Sequence, residues 1–215
     1  MKLSTNKEIQ EIKQRFLEKY ENAKTELKYK NLYELLVCVM LSAQCTDKRV
    51  NIITPALFNA YPDVKSLSCA NLESVKVLIQ SCSFFNNKAT NLIKMAKSVV
   101  ENFGGEIPLE EKSLISLAGV GQKTAHVVMI EYANANLMAV DTHVFRTSHR
   151  LGLSNAKNVN DTEIDLVKKF KTNLDILHQA MVLFGRYICT AKTPKCDELC
   201  FLQEFCKSKR GFKPQ

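Results

Sequence analysis

Residues 117–125 read Leu-Ala-Gly-Val-Gly-Gln-Lys-Thr-Ala and join two stretches whose apolar residues recur at helical spacing. The glycines at 119 and 121 predict a turn too tight for a side chain at either position, which is typical of a helix-hairpin-helix. Backbone N–H groups at the start of the second helix, together with the helix dipole, suit this turn to hold a phosphate. Gly119, Val120 and Gly121 would then grip a DNA backbone without reading its sequence.

Two other interpretations of the turn compete with this one. A P-loop needs Gly directly before Lys-Thr and after a strand, whereas Gln122 intervenes here and a helix precedes the turn. An ordinary helix connection with no ligand is the stronger alternative, because glycine is common in such joints.

Lys123 lies in the first turn of the second predicted helix, away from an apolar stripe formed by Ala125, Val128, Met129 and Tyr132. We therefore expect its amine to face whatever the turn holds. Only a neutral amine is a nucleophile, and both the positive end of a helix and partial burial disfavour the ammonium form. The position suits a lysine that forms a Schiff base; the alternative is a phosphate-contacting or solvated lysine.

Asp141 stands in Val-Asp-Thr-His, directly before another apolar helical pattern. Its position predicts an N-cap. A carboxylate beside a nucleophilic amine and a sugar carbon could also take the proton of the amine and stabilise an oxocarbenium-like state. The two roles are compatible. His143 is interpreted as a packed or hydrogen-bonded histidine.

The rest of the chain also has helical periodicity, with almost no alternation of period two, so we predict an all-α fold without strands. Thr5 and Glu8 form a capping box before a first helix. Residues 32–42 are apolar nearly all round and predict a buried central helix. Further helices are predicted at 46–58, 71–81, 87–103 and 109–117, and after residues 141, 161 and 174.

The composition limits the classes of protein to which the chain can belong. Its net charge of +8 suits a partner rich in phosphate, although a basic surface also serves solubility. The first residues do not resemble a secretion signal, and the longest apolar run, residues 35–41, cannot span a bilayer. We expect a cytoplasmic protein without a membrane partner, whose eight cysteines are buried thiols or metal ligands rather than disulfides.

Four of these cysteines follow one another closely near the C-terminus and predict a metal site. The intervals between them contain six, three and five residues, for Cys189, Cys196, Cys200 and Cys206. This uneven spacing favours a cubane iron-sulfur cluster over zinc, which prefers paired C-x2-C knuckles. Lys192 and Lys195 lie between the first two cysteines, where a rigid loop would hold them against a DNA backbone.

The remaining four cysteines are dispersed among apolar residues and are interpreted as small core side chains. They are Cys38, Cys45, Cys69 and Cys82.

Together these motifs resemble the endonuclease III family of helix-hairpin-helix DNA glycosylases, over essentially the whole chain. The resemblance implies a six-helix domain at about residues 25–135, with the helix-hairpin-helix at about 109–135. It also implies an iron-sulfur cluster domain made of residues 1–24 and 136–215, with DNA in the groove between the domains. Lys123 would be the nucleophile, Asp141 the catalytic carboxylate, and the four cysteines the ligands of a 4Fe-4S cluster.

The resemblance further implies a base excision repair enzyme, both DNA glycosylase and lyase. It would remove oxidised pyrimidines such as thymine glycol from double-stranded DNA and cleave the 3′ side of the abasic site by β-elimination. Gln44 corresponds to the residue that fills the space left by a flipped nucleotide, and Phe84 to a wedge. We expect a monomer that associates with the nucleoid when bound to DNA.

The sequence departs from the family pattern in three places. Three residues rather than two separate Cys196 and Cys200, Ala118 replaces the usual Pro, and His126 replaces the usual Asn. Two rival functions are a monofunctional adenine glycosylase, against which Lys123 and the short chain argue, and a DNA-binding protein without chemistry.

Overall fold

The structure, a computed structural model, describes residues 2–208, and every regular element in that range is helical. The all-α prediction is therefore confirmed. Met1 and residues 209–215, which the predicted domain ranges include, lie outside the described residues. None of the helices in the described range is both long enough and apolar enough to cross a bilayer.

The chain divides into two compact units, which are described separately below. Glu26–Ala133 forms the first, named the helical unit, and Met1–Thr25 with Asn134–Gln215 forms the second, named the cysteine unit. The helices in chain order are α1 Asn6–Lys19, α2 Leu32–Ser42, α3 Asp47–Ala60, α4 Val64–Ser68, α5 Leu72–Ile79, α6 Phe85–Asn102, α7 Glu111–Ile115, α8 Gln122–Ala133, α9 Thr142–Arg150, α10 Val159–Phe170, α11 Leu174–Tyr187 and α12 Cys196–Leu199. A short 3-10 helix follows at Gln203–Phe205.

Helix α2 is the centre of the helical unit, as its nearly uniform apolar sequence predicts. Every residue from Tyr33 to Leu41 is buried, and the helix packs against α3, α6 and α8. Asn31 begins the helix by accepting a hydrogen bond from the N–H of Glu34. The long helix α6 covers α4 and α5 on another side of this core. The C-terminal end of α2 and the start of α6 border the two loops that carry Gln44 and Phe84.

Helix α11 is the centre of the cysteine unit and packs against α1 and α9. The ring of Phe184 meets that of Phe16 edge-on, with centroids 5.4 Å apart, and Phe201 adds a third edge-on ring at 5.4 Å from Phe184. Gly185 allows α9 to approach closely, because a Cβ there would lie 2.9 Å from the Cβ of His143. Thr5 and Glu8 form the predicted capping box of α1.

Two features differ from the sequence predictions. Helix α4 was not expected, because five residues are too few to show a periodic pattern, although Asp63 and Ser66 form a capping box around its start. The buried face of α8 is also different from the predicted stripe: His126 and Ile130 are buried, whereas Tyr132 is 45% exposed. The predicted burial of Tyr132 is wrong, because this residue lies in the last turn of the helix, where the side chain is no longer covered by the core.

Candidate functional site

The hairpin, defined as residues 111–133, consists of α7, a tight turn and α8. Gly119 has a φ of +79°, and a Cβ on it would lie 2.9 Å from the Cβ of Asn91 on α6, so glycine is required there both for its backbone and for space. Val120 donates its N–H to the carbonyl of Leu117 at 3.1 Å, and its side chain is buried. The predicted helix-hairpin-helix is present, and Gly119 sets its turn.

The prediction that the turn has no room for a side chain at either glycine is wrong for Gly121. Its φ is not positive, and a Cβ there would have no atom within 4 Å. Gly121 instead stands directly before α8, where its carbonyl accepts from the N–H of Ala125. Since glycine has no side chain that could cap the first turn, this helix start is suited to an external anion.

His126 ties the two helices of the hairpin together. The imidazole is buried, and its Nε2 lies 3.1 Å from Oε1 of Glu111, the first residue of α7. A buried imidazole needs a hydrogen-bond partner, which this carboxylate supplies. The departure from the usual Asn therefore has a structural account: His126 reaches across the hairpin and holds α7 against α8.

Lys123 lies in the first turn of α8, as predicted, with an exposed side chain. The partial burial that would disfavour its ammonium form is therefore not present in this structure. Lys123 belongs to the helical unit, together with the hairpin turn.

Asp141 belongs to the cysteine unit and is the N-cap of α9, as predicted. Its Oδ1 accepts from the N–H of Val144 at 2.8 Å, and the residue is half-buried. The segment before it is fixed to α11, because the buried His178 donates from Nδ1 to the carbonyl of Ala139 at 2.8 Å. The cap occupies one carboxylate oxygen, and Oδ2 is the oxygen that remains for a second role.

His143 is packed and hydrogen-bonded, as predicted. Burial is the main cause that lowers its pKa, and the Asp141 carboxylate opposes this shift. Its Nδ1 lies 3.2 Å from Nη2 of Arg146 and accepts that bond as a neutral imidazole.

Gln44 and Phe84 lie in two loops of the helical unit and share an unusual backbone. Gln44 has a φ of 54° and Phe84 a φ of 58°, a left-handed conformation that costs non-glycine residues energy, and both side chains are exposed. Strained, exposed residues of this kind are often functional. No sequence signal other than the family resemblance pointed to them.

The buried Lys88 of α6 fixes the loop that carries Gln44. Its Nζ donates to the carbonyls of Leu41 and Ala43 at 2.7 and 2.6 Å, and so satisfies the C-terminal end of α2. The same two loops bring Cys45 and Cys82 together, with their Sγ atoms 3.5 Å apart. Sequence reasoning missed both features, because each joins positions more than thirty residues apart.

The cysteine loop, defined as residues 188–207, contains the four predicted ligands. All four are half-buried free thiols. Burial is the main cause that raises the pKa of Cys200 to about 11, and the neighbouring Cys189, Cys196 and Cys206 contribute to this shift. The four thiols are therefore near one another, yet no three His, Cys, Asp or Glu side chains within residues 2–208 are arranged to hold one metal ion.

Two arginines of α9 hold the start of the cysteine loop. Arg146 donates from Nε to the carbonyl of Cys189 at 2.9 Å and from Nη2 to that of Gly185 at 2.6 Å. Arg150 donates to the carbonyl of Thr190 at 2.7 Å and to the Sγ of Cys189 at 3.3 Å. The helix that Asp141 caps is thus bound directly to the loop of the first cysteine. Nothing in the local sequence indicated these contacts.

Lys192 and Lys195 have exposed side chains on the cysteine loop. The backbone N–H of Lys195 donates to the carbonyl of Ile188 at 2.9 Å, which closes this part of the loop on itself. Among the other cysteines, Cys38 and Cys82 are buried as predicted, whereas Cys45 is half-buried and Cys69 is exposed. The prediction that all four are core residues holds in part for Cys45, which packs half-buried against the core, and is wrong for Cys69 at the C-terminal end of α4.

Comparison with known proteins gives consistent matches. Residues 37–172 match the family described as HhH-GPD superfamily base excision DNA repair protein. Endonuclease III of Rickettsia conorii is 41% identical over 92% of this chain and 94% of its own length. Endonuclease III of Bacillus subtilis is 40% identical over 87% of this chain and 86% of its own. A solved trapped endonuclease III-DNA covalent intermediate superposes with a TM-score of 0.89 at 36% identity, over 95% of this chain and 97% of that one.

Proposed function

The chain belongs to the HhH-GPD superfamily of base excision DNA repair proteins, in its endonuclease III group, and on this premise we propose that Lys123 is the nucleophile of a combined glycosylase and lyase reaction. The chain is a bifunctional DNA glycosylase and abasic-site lyase. Its substrate is double-stranded DNA that carries an oxidised pyrimidine or an abasic site. The protein acts on it as a monomer.

In the proposed reaction, Nζ of Lys123 attacks C1′ of the damaged nucleotide, the glycosidic bond breaks and the base leaves. The resulting Schiff base allows β-elimination, which cleaves the strand on the 3′ side. Asp141 takes a proton from the amine and stabilises the oxocarbenium-like state as the base departs. The single observation that carries this proposal is an exposed lysine in the first turn of a helix that begins, at Gly121, without a side-chain cap.

The hairpin supports the binding part of the proposal. A phosphate at the start of α8 would accept N–H bonds from the first turn, and Gly119, Val120 and Gly121 give the backbone close access. The turn is rigid, because Gly119 packs against Asn91 and His126 holds the two helices together. Such a grip would place the DNA backbone beside Lys123 without selecting a base sequence.

Gln44 and Phe84 are the two residues that we propose for base extrusion. We assign Gln44 to the space left by the flipped nucleotide and Phe84 to the wedge between bases. Phe84 is 62% exposed although it is a large aromatic, and both residues are held in a left-handed conformation that the surrounding core must stabilise. Exposure and strain together support a role at the DNA rather than in the core.

The four cysteines of the cysteine loop fit a 4Fe-4S cluster better than a zinc ion. Each iron of such a cluster takes one thiolate, so the ligands stand farther apart than those of a single ion. The four thiols lie on one loop with uneven intervals between them, and each of the other three contributes to the raised pKa of Cys200. The cluster would hold the cysteine loop in a fixed conformation. Lys192 and Lys195 on this loop would then contact DNA phosphates. Iron and sulfide in the purified protein would support this, and zinc would contradict it.

The test is a cleavage assay on a duplex with one thymine glycol, in which base release and strand ends are measured separately. We expect Lys123→Gln to lose both activities by more than about a thousandfold, since the nucleophile is absent. Asp141→Asn should lower the rate by about a hundredfold or more, because a general base contributes 10²–10⁴.

Lys112→Gln is the matched control, since Lys112 is an exposed lysine on the other helix of the same hairpin. It should keep nearly full activity. Cleavage by Lys123→Gln at the wild-type rate would refute the proposal. Tight DNA binding by the wild-type protein without any base release would favour a binding protein without chemistry.

A further inference from the structure

Cys45 and Cys82 form a pair of thiols in contact that the proposed chemistry does not use. Their Sγ atoms lie 3.5 Å apart, and the two residues come from different loops of the helical unit. Cys45 lies between α2 and α3, and Cys82 lies between α5 and α6. Neither is in a disulfide. A pair of this kind needs little movement to form one.

The two thiols differ in accessibility. Cys45 is half-buried, whereas Cys82 is 3% exposed. Burial, with a further contribution from the neighbouring Cys45, raises the pKa of Cys82 to about 12. Cys45 is therefore the thiol that a small reagent reaches first, and Cys82 is placed to react only with a group already on Cys45.

Outside the cysteine loop, neither of the other two thiols in the described range has another thiol as its partner. Cys38 is fully buried and donates to the carbonyl of Lys28. Cys69 is exposed and lies beside the hydroxyl of Ser68. The four cysteines of the cysteine loop belong to the proposed cluster. The pair at 45 and 82 is thus chemically distinct from the other six cysteines of the chain.

The pair also lies directly beside the two residues assigned to the DNA. Cys45 follows Gln44, and Cys82 precedes Phe84 by two positions. Both of those residues are exposed and have a positive φ. Lys88 of α6, the helix that follows the second loop, holds the start of the first loop, because it donates to the carbonyls of Leu41 and Ala43. A covalent bond between the sulfurs would therefore fix the two loops to each other.

We propose that Cys45 and Cys82 are a thiol-disulfide modification site, oxidised by low-molecular-weight disulfides, whose closure restrains the loops of Gln44 and Phe84 and lowers activity on DNA. The second half of this proposal rests on the function proposed above. The first half, formation of the bond, does not.

The reaction balances as two thiol-disulfide exchanges. The Cys45 thiolate attacks one sulfur of the reagent, a mixed disulfide forms, and the first thiol leaves. The Cys82 sulfur, after losing its proton, attacks Sγ of Cys45, the protein disulfide forms, and the second thiol leaves. Two protein thiols are oxidised and one reagent disulfide is reduced to two thiols. Excess dithiol reductant reverses both steps.

Closure has a mechanical consequence for the loops. A disulfide needs its sulfurs about 2.05 Å apart, so they must approach by about 1.5 Å from their present 3.5 Å. Displacement of about 1 Å at groups that position a substrate can lower a rate by about a hundredfold. We expect the closed form to act on lesion DNA at least about tenfold more slowly than the open form.

The test begins with the full-length protein that carries its native metal content, treated with oxidised glutathione and digested with trypsin without reduction. The expected product joins residues 31–48 to residues 77–88, through Cys45 and Cys82. Cys45→Ser should not give this product, although Cys38 is still in the first peptide. Cys69→Ser is the matched control and should give it in full. Iron content, measured before and after, shows whether the cluster is unaffected.

Activity is then compared for the oxidised protein, the same sample after dithiothreitol, and oxidised Cys45→Ser. A loss of at least about tenfold that dithiothreitol restores, and that Cys45→Ser does not show, supports the proposal. Absence of the linked peptides, or equal thiol loss in Cys45→Ser, overturns the site. If the linked peptides form but the activity on lesion DNA is unchanged, the proposed effect of the disulfide on activity is overturned. If the reduced wild-type protein has no activity, the proposed function fails, while the peptide result still decides the site.

Discussion

The hairpin, which is two helices joined by a tight turn, and the largely irregular cysteine loop both carry proposed DNA contacts, yet they are held in opposite ways. The hairpin is determined largely by its own sequence: Gly119 sets the turn, and the contact from His126 to Glu111 spans fifteen residues. The cysteine loop depends on distant helices, through Arg146 and Arg150 of α9. The comparison shows that a turn can be specified locally, whereas a loop without regular periodicity takes its shape from residues far away in the chain.

The largest effect is expected where the cysteine loop loses its distant support. Arg150 is 8% exposed and donates to the carbonyls of Thr190 and Ala191 and to the Sγ of Cys189. Arg150→Ala removes a buried guanidinium and its charge-assisted hydrogen bonds to the start of the cysteine loop, which should lower the free energy of unfolding by about 3–5 kcal/mol. Urea denaturation monitored by circular dichroism measures the change.

Arg49→Ala is the control for this variant, because Arg49 is exposed on α3 of the other unit. It should change the free energy of unfolding by less than about 0.5 kcal/mol. Equal stability of the two variants would mean that the cysteine loop does not depend on α9.

Substitutions at two glycines of the hairpin, and at Gly104 outside it, separate the effect of a positive φ from that of a steric clash. Gly119→Ala combines a positive φ with a clash against Asn91 and should cost about 3 kcal/mol. Gly104→Ala has a positive φ but open space, and should cost about 1 kcal/mol. Gly121→Ala has neither feature and should change stability by less than about 0.5 kcal/mol. Thermal and urea unfolding of the three variants measure these differences. If Gly121→Ala were as unstable as Gly119→Ala, the conclusion that only Gly119 is required for the turn would be wrong.

A smaller effect is expected inside the hairpin. His126→Ala removes a buried ring and its bond to Glu111, so the free energy of unfolding should fall by about 2 kcal/mol. Hydrogen exchange should also become faster in α7 and the first turn of α8, while α2 is unchanged. Lys112→Ala, at an exposed position of α7, is the control. Unchanged exchange in α7 would contradict the role given to His126.

The smallest effect concerns the far end of the cysteine loop, where Lys207 contacts Glu8 of α1. The bond from Lys207 is the main cause that lowers the pKa of Glu8 from 4.5 to about 2. A lowered carboxyl pKa stabilises the fold above the unfolded value, so this contribution is complete above pH about 4.5 and is lost as the pH falls towards 2. The free energy of unfolding, measured between about pH 2 and pH 7, should fall less on acidification in Glu8→Gln than in the wild-type protein. Identical pH profiles of the two proteins would contradict this role of Glu8.

Features that depend on neighbouring residues could be predicted from the sequence, whereas contacts between distant residues could not. The central helix, the capping box at Thr5, the turn at Gly119 and the N-cap at Asp141 all follow from residues within a few positions of one another. The arginine contacts to Cys189, the carbonyls held by Lys88 and the pairing of Cys45 with Cys82 join positions that are distant in the chain. A single sequence carries no signal for such contacts, because they depend on how helices pack.

Gly121 and Lys123 show a different limit. Glycine at 121 suggested steric need, but its place before α8 leaves the space empty. The partial burial expected at Lys123 is wrong: its side chain is exposed, although Ala125 in the same turn of α8 is buried in the core. The roles assigned to these two positions stay predictions; the packing shows only that the expected steric need at Gly121 and the expected burial at Lys123 are not found.

The most direct test of Lys123 as the nucleophile is covalent trapping. The protein is incubated with a duplex that contains thymine glycol, borohydride is added, and the adduct is digested and mapped. The account predicts a stable protein-DNA adduct on the peptide that contains Lys123, absent in Lys123→Ala and present in Lys112→Gln. No adduct from the wild-type protein, or an adduct mapped to another lysine, would contradict it.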